Sequence, residues 1–186
     1  MVRKLRTIEM QRLSVEQFRE AEKLPLVVVL DDVRSLYNVG SVFRTCDAFR
    51  VEAVYLCGIT ATPDTCETEI HKTALGAESA VAWKHFDTAD EAVRQLKADG
   101  YLTLAVEQAE GSIKAPLPDL ADMAGNSTTT PRYAIVLGNE VRGVHQSVID
   151  LTDACLEIPQ YGTKHSMNVA VTAGIVIWEF ARQLYR

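Results

Sequence analysis

The chain has 186 residues, 47% of them hydrophobic, and a formal net charge of −6. These totals fit one globular domain with a sizeable core, and they disfavour a protein that covers nucleic acid with a uniformly basic surface. The first residues lack the apolar run of a signal peptide. The four cysteines have no CxxC spacing and the four histidines are scattered, so we expect a cytoplasmic protein with reduced thiols, no metal and no membrane segment.

From residue 14 to residue 107 the pattern alternates between short helices and β-branched runs. Ser14 and Gln17 form a capping box, Leu26–Asp32 is the continuous apolar run of a buried strand, and Asn38 is predicted to cap the next helix. The predicted elements are helix Ser14–Lys23, strand Leu26–Asp32, helix Asn38–Phe49, strand Ala53–Gly58, helix Thr68–Leu75, strand Ala80–His85, helix Thr88–Ala98 and strand Tyr101–Glu107. This alternation predicts an α/β fold with a mostly parallel sheet and helices on both faces.

A segment without periodicity follows, and two more strands come after it. Gln108–Pro131 is rich in Gly, Pro, Ser and Thr, which indicates a functional or mobile loop. The strands Ala134–Leu137 and Leu156–Pro159 both run into glycine-containing loops that open into helices. Strand ends of this kind gather ligands in α/β sheets, and Gly138 and Gly162, which lack a Cβ, would let a ligand approach the backbone.

The helix predicted after Asn168 is apolar almost all the way round. It cannot be a surface helix with one polar, solvent-exposed face, and it is shorter than the roughly 18 residues that a membrane span requires. We therefore expect it to be buried on two sides, by its own sheet and by another chain. Ala170, Ala173 and Gly174 would let that neighbour pack closely.

Several polar residues near the predicted strand ends are candidates for chemistry, although each has a simpler explanation when taken alone. Asn38 and Arg44 lie six residues apart on one helix, and a helix cap with a surface ion pair would account for them. Glu140 could form an ion pair, bind a substrate or cap the following helix. Ser166 and Asn168 stand at a helix start, where capping alone explains one of them.

Taken in order, these residues form a more specific pattern. N-x-G-x-x-x-R, then L-G-N-E-x-x-G-V, then I-P-x-x-G-x-x-x-S-M-N resembles the three motifs of the SPOUT superfamily, and in detail its SpoU/TrmH-type RNA ribose 2′-O-methyltransferases. The resemblance covers roughly residues 25–185. It implies a deep C-terminal trefoil knot, S-adenosylmethionine as methyl donor without a metal, and a homodimer joined through the last helix. The knot does not follow from periodicity, and knots are very rare in general.

The resemblance also assigns roles to individual residues. Arg44 would deprotonate the ribose hydroxyl or stabilise the developing alkoxide, and it would act on the pocket of the twin subunit. The implied catalytic residues are Arg44, Asn38, Glu140, Ser166 and Asn168. The implied cofactor-binding residues are Leu137, Gly138, Ile158, Pro159 and Met167.

The RNA that such an enzyme would modify is open between tRNA and rRNA, with a tRNA guanosine favoured. Residues 1–24 are predicted to be an N-terminal helical extension that contacts RNA, and residues 25–186 the catalytic domain. Residues 1–25 carry six cations against four carboxylates, a net +2 in an acidic chain.

Two other functions are open alternatives, and a third lacks its motif. One is a catalytically silent RNA-binding protein of this fold, and another is a SPOUT enzyme that methylates a base. A dinucleotide-dependent oxidoreductase would require G-x-G-x-x-G after the first strand, where this chain has VRSLYNVG.

Overall fold

The structure, a computed structural model, describes residues 2–123 and 131–185. Its seven strands form one sheet in the order β3-β2-β1-β6-β4-β7-β5, and each neighbouring pair is parallel. The strands are β1 Leu24–Asp31, β2 Val51–Cys57, β3 Ala82–Phe86, β4 Tyr101–Val106, β5 Ile113–Lys114, β6 Arg132–Leu137 and β7 Ala154–Glu157. A 3-10 helix, Thr7–Met10, precedes the helices α1 Val15–Glu20, α2 Leu36–Ala48, α3 Glu67–Ala74, α4 Ala77–Ala80, α5 Ala89–Ala98, α6 Leu120–Met123, α7 Gln146–Leu151 and α8 Val169–Leu184.

The sheet is covered on both faces, as the alternation of elements predicts. Along β1, Leu26 and Val28 belong to one core cluster together with residues of α2 and α8, whereas Val27 and Val29 belong to a second cluster with residues of α5 and α7. Successive side chains of a strand point to opposite faces, so a fully apolar strand such as β1 indicates two covered faces.

The predicted elements were found with shifted ends, and some short elements were missed. Helix α4 has four residues, too few to give a recognisable helical period, whereas the helix predicted after the loop that follows Ala134–Leu137 is present as the six-residue α7. Strand β5 and helix α6 lie inside the segment Gln108–Pro131 that was predicted to be one loop. Residues 124–130 of that segment lie outside the described residues.

The predicted cap of α2 was wrong by one turn. Helix α2 begins at Leu36, and the Ser35 side chain accepts the backbone N–H of Asn38 at 3.3 Å. Because Ser35 already provides the cap, the Asn38 side chain is available for contacts outside the helix.

Gly40 allows α2 to lie directly against α3. A Cβ on Gly40 would stand 2.2 Å from the Thr73 hydroxyl oxygen and 2.3 Å from the Ile70 carbonyl oxygen. The close approach that this glycine permits is therefore a helix packing contact between α2 and α3.

We expect Gly40→Ala to destabilise the protein by about 1–3 kcal/mol, the usual cost of forcing a methyl group into a packed contact. Gly162→Ala is the matched control, because its Cβ would meet no atom within 4 Å. Urea unfolding should show a lower midpoint for Gly40→Ala and an unchanged midpoint for Gly162→Ala. Equal midpoints for the two variants would contradict this packing argument.

Helix α8 buries one side and exposes an apolar side. Val169, Ala173 and Phe180 belong to the core. Val171, Ile175 and Trp178 are 54%, 41% and 56% exposed, and they follow one another at helical spacing. Helix α8 was predicted to be covered on its second side by another chain. In the described single chain, that side is an exposed apolar face. Among the described residues, no helix is long and apolar enough to span a bilayer.

Candidate active site

One cleft lies where β4, β6 and β7 end. The three residues predicted to share a hollow there, Gly138, Ile158 and Met167, all line it, and so does Leu137. The other lining residues are Val106, Glu107, Gln108, Asn139, Glu140, Gly143, Leu156, Gln160, Ser166, Val169 and Thr172. The strand-end argument predicted a ligand site at this edge of the sheet, and four of the residues that the family resemblance implies for the cofactor meet there.

Gly138 is required by the fold of its own turn. A Cβ there would stand 2.0 Å from the carbonyl carbon of Gly143 and 2.1 Å from the nitrogen of Val144. The turn folds back on itself through two backbone hydrogen bonds between Asn139 and Gly143, of 3.0 and 2.9 Å. A ligand was predicted to approach the backbone closely at Gly138, but the chain's own residues Gly143 and Val144 occupy that position. A Cβ on Gly162 would meet no atom within 4 Å.

The Glu140 carboxylate holds the segment that leads into α2. It accepts the backbone N–H groups of Arg34 at 3.1 Å and Ser35 at 3.0 Å, and the side-chain amide of Asn38 at 2.9 Å. Partial burial raises the pKa of Glu140, but these three donors outweigh it and hold the pKa below the usual value. No ion pair joins Glu140 to a cation among residues 2–123 and 131–185. The structure therefore assigns Glu140 to the ordering of this segment.

We expect Glu140→Gln to lower stability at neutral pH by about 1–3 kcal/mol, because the amide is a weaker acceptor than the charged carboxylate. The lowered pKa means that ionised Glu140 stabilises the fold above the ordinary glutamate pKa of about 4.3, and that this stabilisation is lost as the pH falls through the folded value. Thermal unfolding from neutral to acid pH should therefore show a shallower acid loss in Glu140→Gln. Glu20→Gln, an exposed position on α1, should follow wild type. An acid loss as steep in Glu140→Gln as in wild type would refute this.

Asn38 and Asn168 extend the same network to α8. The Asn168 amide donates to Asn38 Oδ1 at 3.0 Å, while Asn168 Oδ1 accepts the N–H groups of Ala170 and Val171 and so caps α8. Three of the predicted catalytic residues thus form one hydrogen-bonded chain that joins α2, the turn after β6 and the start of α8.

The remaining predicted residues divide between the cleft and other places. Ser166 lines the cleft, whereas Pro159 is not among the lining residues. Arg44 lies in a separate groove beside Thr45 and Lys72, and it is exposed. It lies six positions after Asn38 on α2, about 9 Å along the helix axis. Within the described chain, the structure does not bring Arg44 to the cleft.

Sequence reasoning missed several polar residues of the site. Glu107 follows β4 directly, so the strand-end argument applied to β4 would have found it. Thr172 lies within α8, where no local signal marks it. The fold also brings His145 to Asp31 and Asp32, with possible ligand atoms within 4.8 Å of one another, although the histidines were expected to be scattered.

The composition of the cleft limits what it can bind. Leucine, isoleucine, valine and methionine side chains supply apolar walls, while glutamate, asparagine, glutamine, serine and threonine supply polar groups. The lining residues named above include Glu107 and Glu140 but no lysine, arginine or histidine. Such a cleft suits a flat, partly apolar ligand with cationic groups, and it offers no cation for the pyrophosphate of a dinucleotide.

Comparison with known proteins agrees with this geometry. The sequence profile of the SpoU rRNA Methylase family matches residues 25–178. A 23S rRNA (guanosine-2′-O-)-methyltransferase of Neisseria meningitidis is 31% identical over 166 residues, which are 86% of this chain and 59% of the relative. The chain thus spans little more than half of that relative. A tRNA (guanosine(18)-2′-O)-methyltransferase of Thermus thermophilus is 28% identical, with 94% of this chain and 84% of the relative covered.

A solved structure shows the same fold. The AdoMet-bound rRNA methyltransferase of Sinorhizobium meliloti superposes with a TM-score of 0.75 at 26% identity, covering 90% of this chain and 60% of that one.

Proposed function

This chain belongs to the SpoU rRNA methylase family, and from that premise we propose that it transfers a methyl group from S-adenosylmethionine to a ribose 2′-hydroxyl of RNA. The observation that carries the proposal is the cleft shared by Gly138, Ile158 and Met167 at the ends of β6 and β7. The same three residues, taken from two separate motifs, were expected to meet there.

The cleft fits this methyl donor. Leu137, Ile158 and Met167 offer apolar contact to a purine, and the lack of a basic side chain among the lining residues suits the donor's ammonium and sulfonium charges. When bound, the donor supplies a methyl group on a good leaving group. Pro159 would lie at the rim, and no metal is needed for the reaction.

Arg44, the residue that the family motif implies for the ribose hydroxyl, does not line this cleft. Arg44 lies elsewhere in the described chain, and α8 exposes an apolar face next to α2, where the Phe49 and Trp178 rings are 5.9 Å apart. We therefore propose a homodimer through α8 in which the partner subunit's Arg44 reaches the cleft. Two observations support this assembly. Arg44 lies outside the cleft, and the apolar face of α8 is uncovered.

The residues of this chain would then act mainly by positioning. Holding two reactants in line contributes about 7–11 kcal/mol of the barrier in well-oriented systems. Glu140, Asn38 and Asn168 fix α2 and α8 relative to the cleft, and Ser166 shapes the end that receives the nucleotide. The partner subunit's Arg44 would accept the hydroxyl proton or stabilise the alkoxide. A guanidinium pKa above about 12 favours the second role at neutral pH.

Two further features belong to this proposal. We propose a deep trefoil knot in the C-terminal half, which agrees with the positions of β6 between β1 and β4 and of β7 between β4 and β5. We propose that residues 1–24 form an RNA-contacting extension to a catalytic domain of residues 25–186. This extension is packed against the domain through buried Phe18, and Arg19 donates to the Ser79 carbonyl at 2.7 Å. Arg3 is already paired with Glu9, so RNA would compete with that ion pair.

A guanosine acceptor is favoured, because the Neisseria and Thermus relatives are named for guanosine methylation. The test is mass spectrometry of nucleosides from total RNA of cells with and without the gene, followed by methylation in vitro of the RNA that loses its mark. Loss of one 2′-O-methylated nucleoside, restored by the purified protein, is the expected result. Loss of a base-methylated nucleoside would instead identify a base methyltransferase.

A catalytically silent RNA-binding protein remains the second candidate. One observation favours it: in the described chain, Arg44 lies in a separate groove and does not line the cleft. Calorimetry with S-adenosylmethionine separates the two candidates, since a silent protein has no need to bind the donor.

A further inference from the structure

The turn that follows β6, residues 138–145, is held by hydrogen bonds to carboxylates at the ends of both neighbouring strands. Strand β6 lies between β1 and β4, and a carboxylate stands at the end of each neighbour. Asp31 Oδ2, on β1, accepts the backbone N–H of His145 at 3.0 Å. Glu107 Oε2, just after β4, accepts the backbone N–H of Val144 at 3.1 Å. Two consecutive N–H groups of the turn are therefore held by two carboxylates from opposite sides.

On the β1 side, Asp31 is buried and its carboxylate contacts His145 of the turn. It is only 3% exposed, and its two oxygens also lie 3.0 and 2.9 Å from His145 Nδ1. His145 is the N-cap residue of α7, and its other ring nitrogen lies 3.7 Å from Asp32. Asp31 thus binds both the backbone and the side chain of the residue at which the turn enters α7.

On the β4 side, Glu107 lines the cleft, but its oxygens are occupied by backbone. Oε1 accepts the N–H of Gln108 at 2.8 Å, and Oε2 accepts that of Val144. A Cβ on Gly143 would stand 2.0 Å from Oε2, so the carboxylate packs directly on the turn. Glu107 is therefore arranged to hold the turn, even though it borders the ligand space.

We propose that Asp31 and Glu107 are positioning residues of the methyl-donor site. By fixing residues 144 and 145 they hold the turn in the shape in which Gly138 and Glu140 line the cleft, so that binding need not order it. This inference rests on the proposed function, because it assumes that the cleft binds the methyl donor. Each carboxylate acts through the backbone of the turn and has no direct contact with the ligand.

The test compares Asp31→Asn and Glu107→Gln with wild type by calorimetry, using S-adenosylhomocysteine as the probe. Each variant should weaken binding about tenfold, the loss expected for one hydrogen bond to a charged group. In the ligand-free protein, amide hydrogen exchange at Val144 and His145 should become faster. His145→Ala should weaken binding as well. His145→Asn should restore it, because asparagine keeps a side-chain donor and a good cap.

Asp153→Asn is the matched control. The Asp153 carboxylate also accepts a backbone N–H, that of Thr103 at 2.8 Å, but it does not border the cleft. This variant should lose stability while it binds the probe as wild type does. An equal loss of binding in Asp153→Asn would overturn the inference, since the effect would then reflect general destabilisation.

A second probe separates positioning by Glu107 from direct contact. 5′-Methylthioadenosine lacks the α-amino group, so a positioning role predicts the same relative loss for both probes. A loss confined to S-adenosylhomocysteine would show that Glu107 contacts the amino group, and would overturn the inference. If wild type and both variants bind alike, the inference fails and the proposed function stands. If wild type binds neither probe, both fail.

Discussion

Arg44→Ala should abolish most RNA methylation and leave cofactor binding unchanged. Positioned proton transfer or alkoxide stabilisation contributes about 10²–10⁴-fold to such a step, and the loss should appear in kcat. Arg44 is exposed and lies outside the residues that line the cleft, so its removal takes nothing from the donor pocket or the core. Single-turnover methylation at fixed salt, together with calorimetry for the donor, measures both parts.

Arg44→Lys separates charge from shape. Lysine keeps the positive charge but lacks the planar fork that binds an oxygen pair in a bidentate way. If the guanidinium acts through its fork, Arg44→Lys should be almost as inactive as Arg44→Ala. Turnover close to wild type in Arg44→Ala would remove Arg44 from the mechanism altogether.

Mixed dimers test whether Arg44 acts across the interface. Gly138→Ala should destroy the cleft of its own chain, because the added Cβ would overlap the backbone of Gly143. A dimer of one Arg44→Ala chain and one Gly138→Ala chain would keep one site with an intact cleft and the partner subunit's Arg44. Activity in the mixture, with none in either variant alone, is expected. An inactive mixture that forms dimers would contradict action across the interface.

The residues that the sequence located well are those whose positions follow from the backbone alone. Gly138 follows a predicted strand and Ile158 lies near the end of another, and parallel strands deliver their carboxyl ends to one edge of the sheet. Met167 comes to the same cleft through the loop that precedes α8. Local periodicity predicted that the strand ends share one edge of the sheet, and the family resemblance implied which residues at that edge bind the cofactor.

The side-chain partners could not be predicted, because they depend on residues far apart in the sequence. Glu140 binds Arg34 and Ser35, 106 and 105 positions away, and His145 binds Asp31, 114 positions away. Glu140 was expected to form an ion pair, bind a substrate or cap the following helix, but its carboxylate holds the segment that leads into α2. Only the three-dimensional position of β6 between β1 and β4 makes these contacts possible.

Ile175→Glu should separate the proposed dimer and remove methylation with it. Val171, Ile175 and Trp178 share one exposed face of α8, and a Cβ on Gly174 beside them would meet no atom within 4 Å. A carboxylate in the centre of an apolar interface loses its hydration without gaining a partner, which costs several kcal/mol. The monomer fold should survive, because Ile175 is 41% exposed in the single chain.

Light scattering at equal protein concentrations, with methylation measured on the same samples, tests this second prediction. Ile59→Glu is the matched control, since Ile59 is 65% exposed but lies in the connection between β2 and α3 and not on α8. It should stay dimeric and active. A fully active Ile175→Glu monomer would show that one chain completes its own site, and Arg44 would then have to reach the cleft by rearrangement of α2. A dimeric but inactive Ile175→Glu protein would place the subunit contact on another surface.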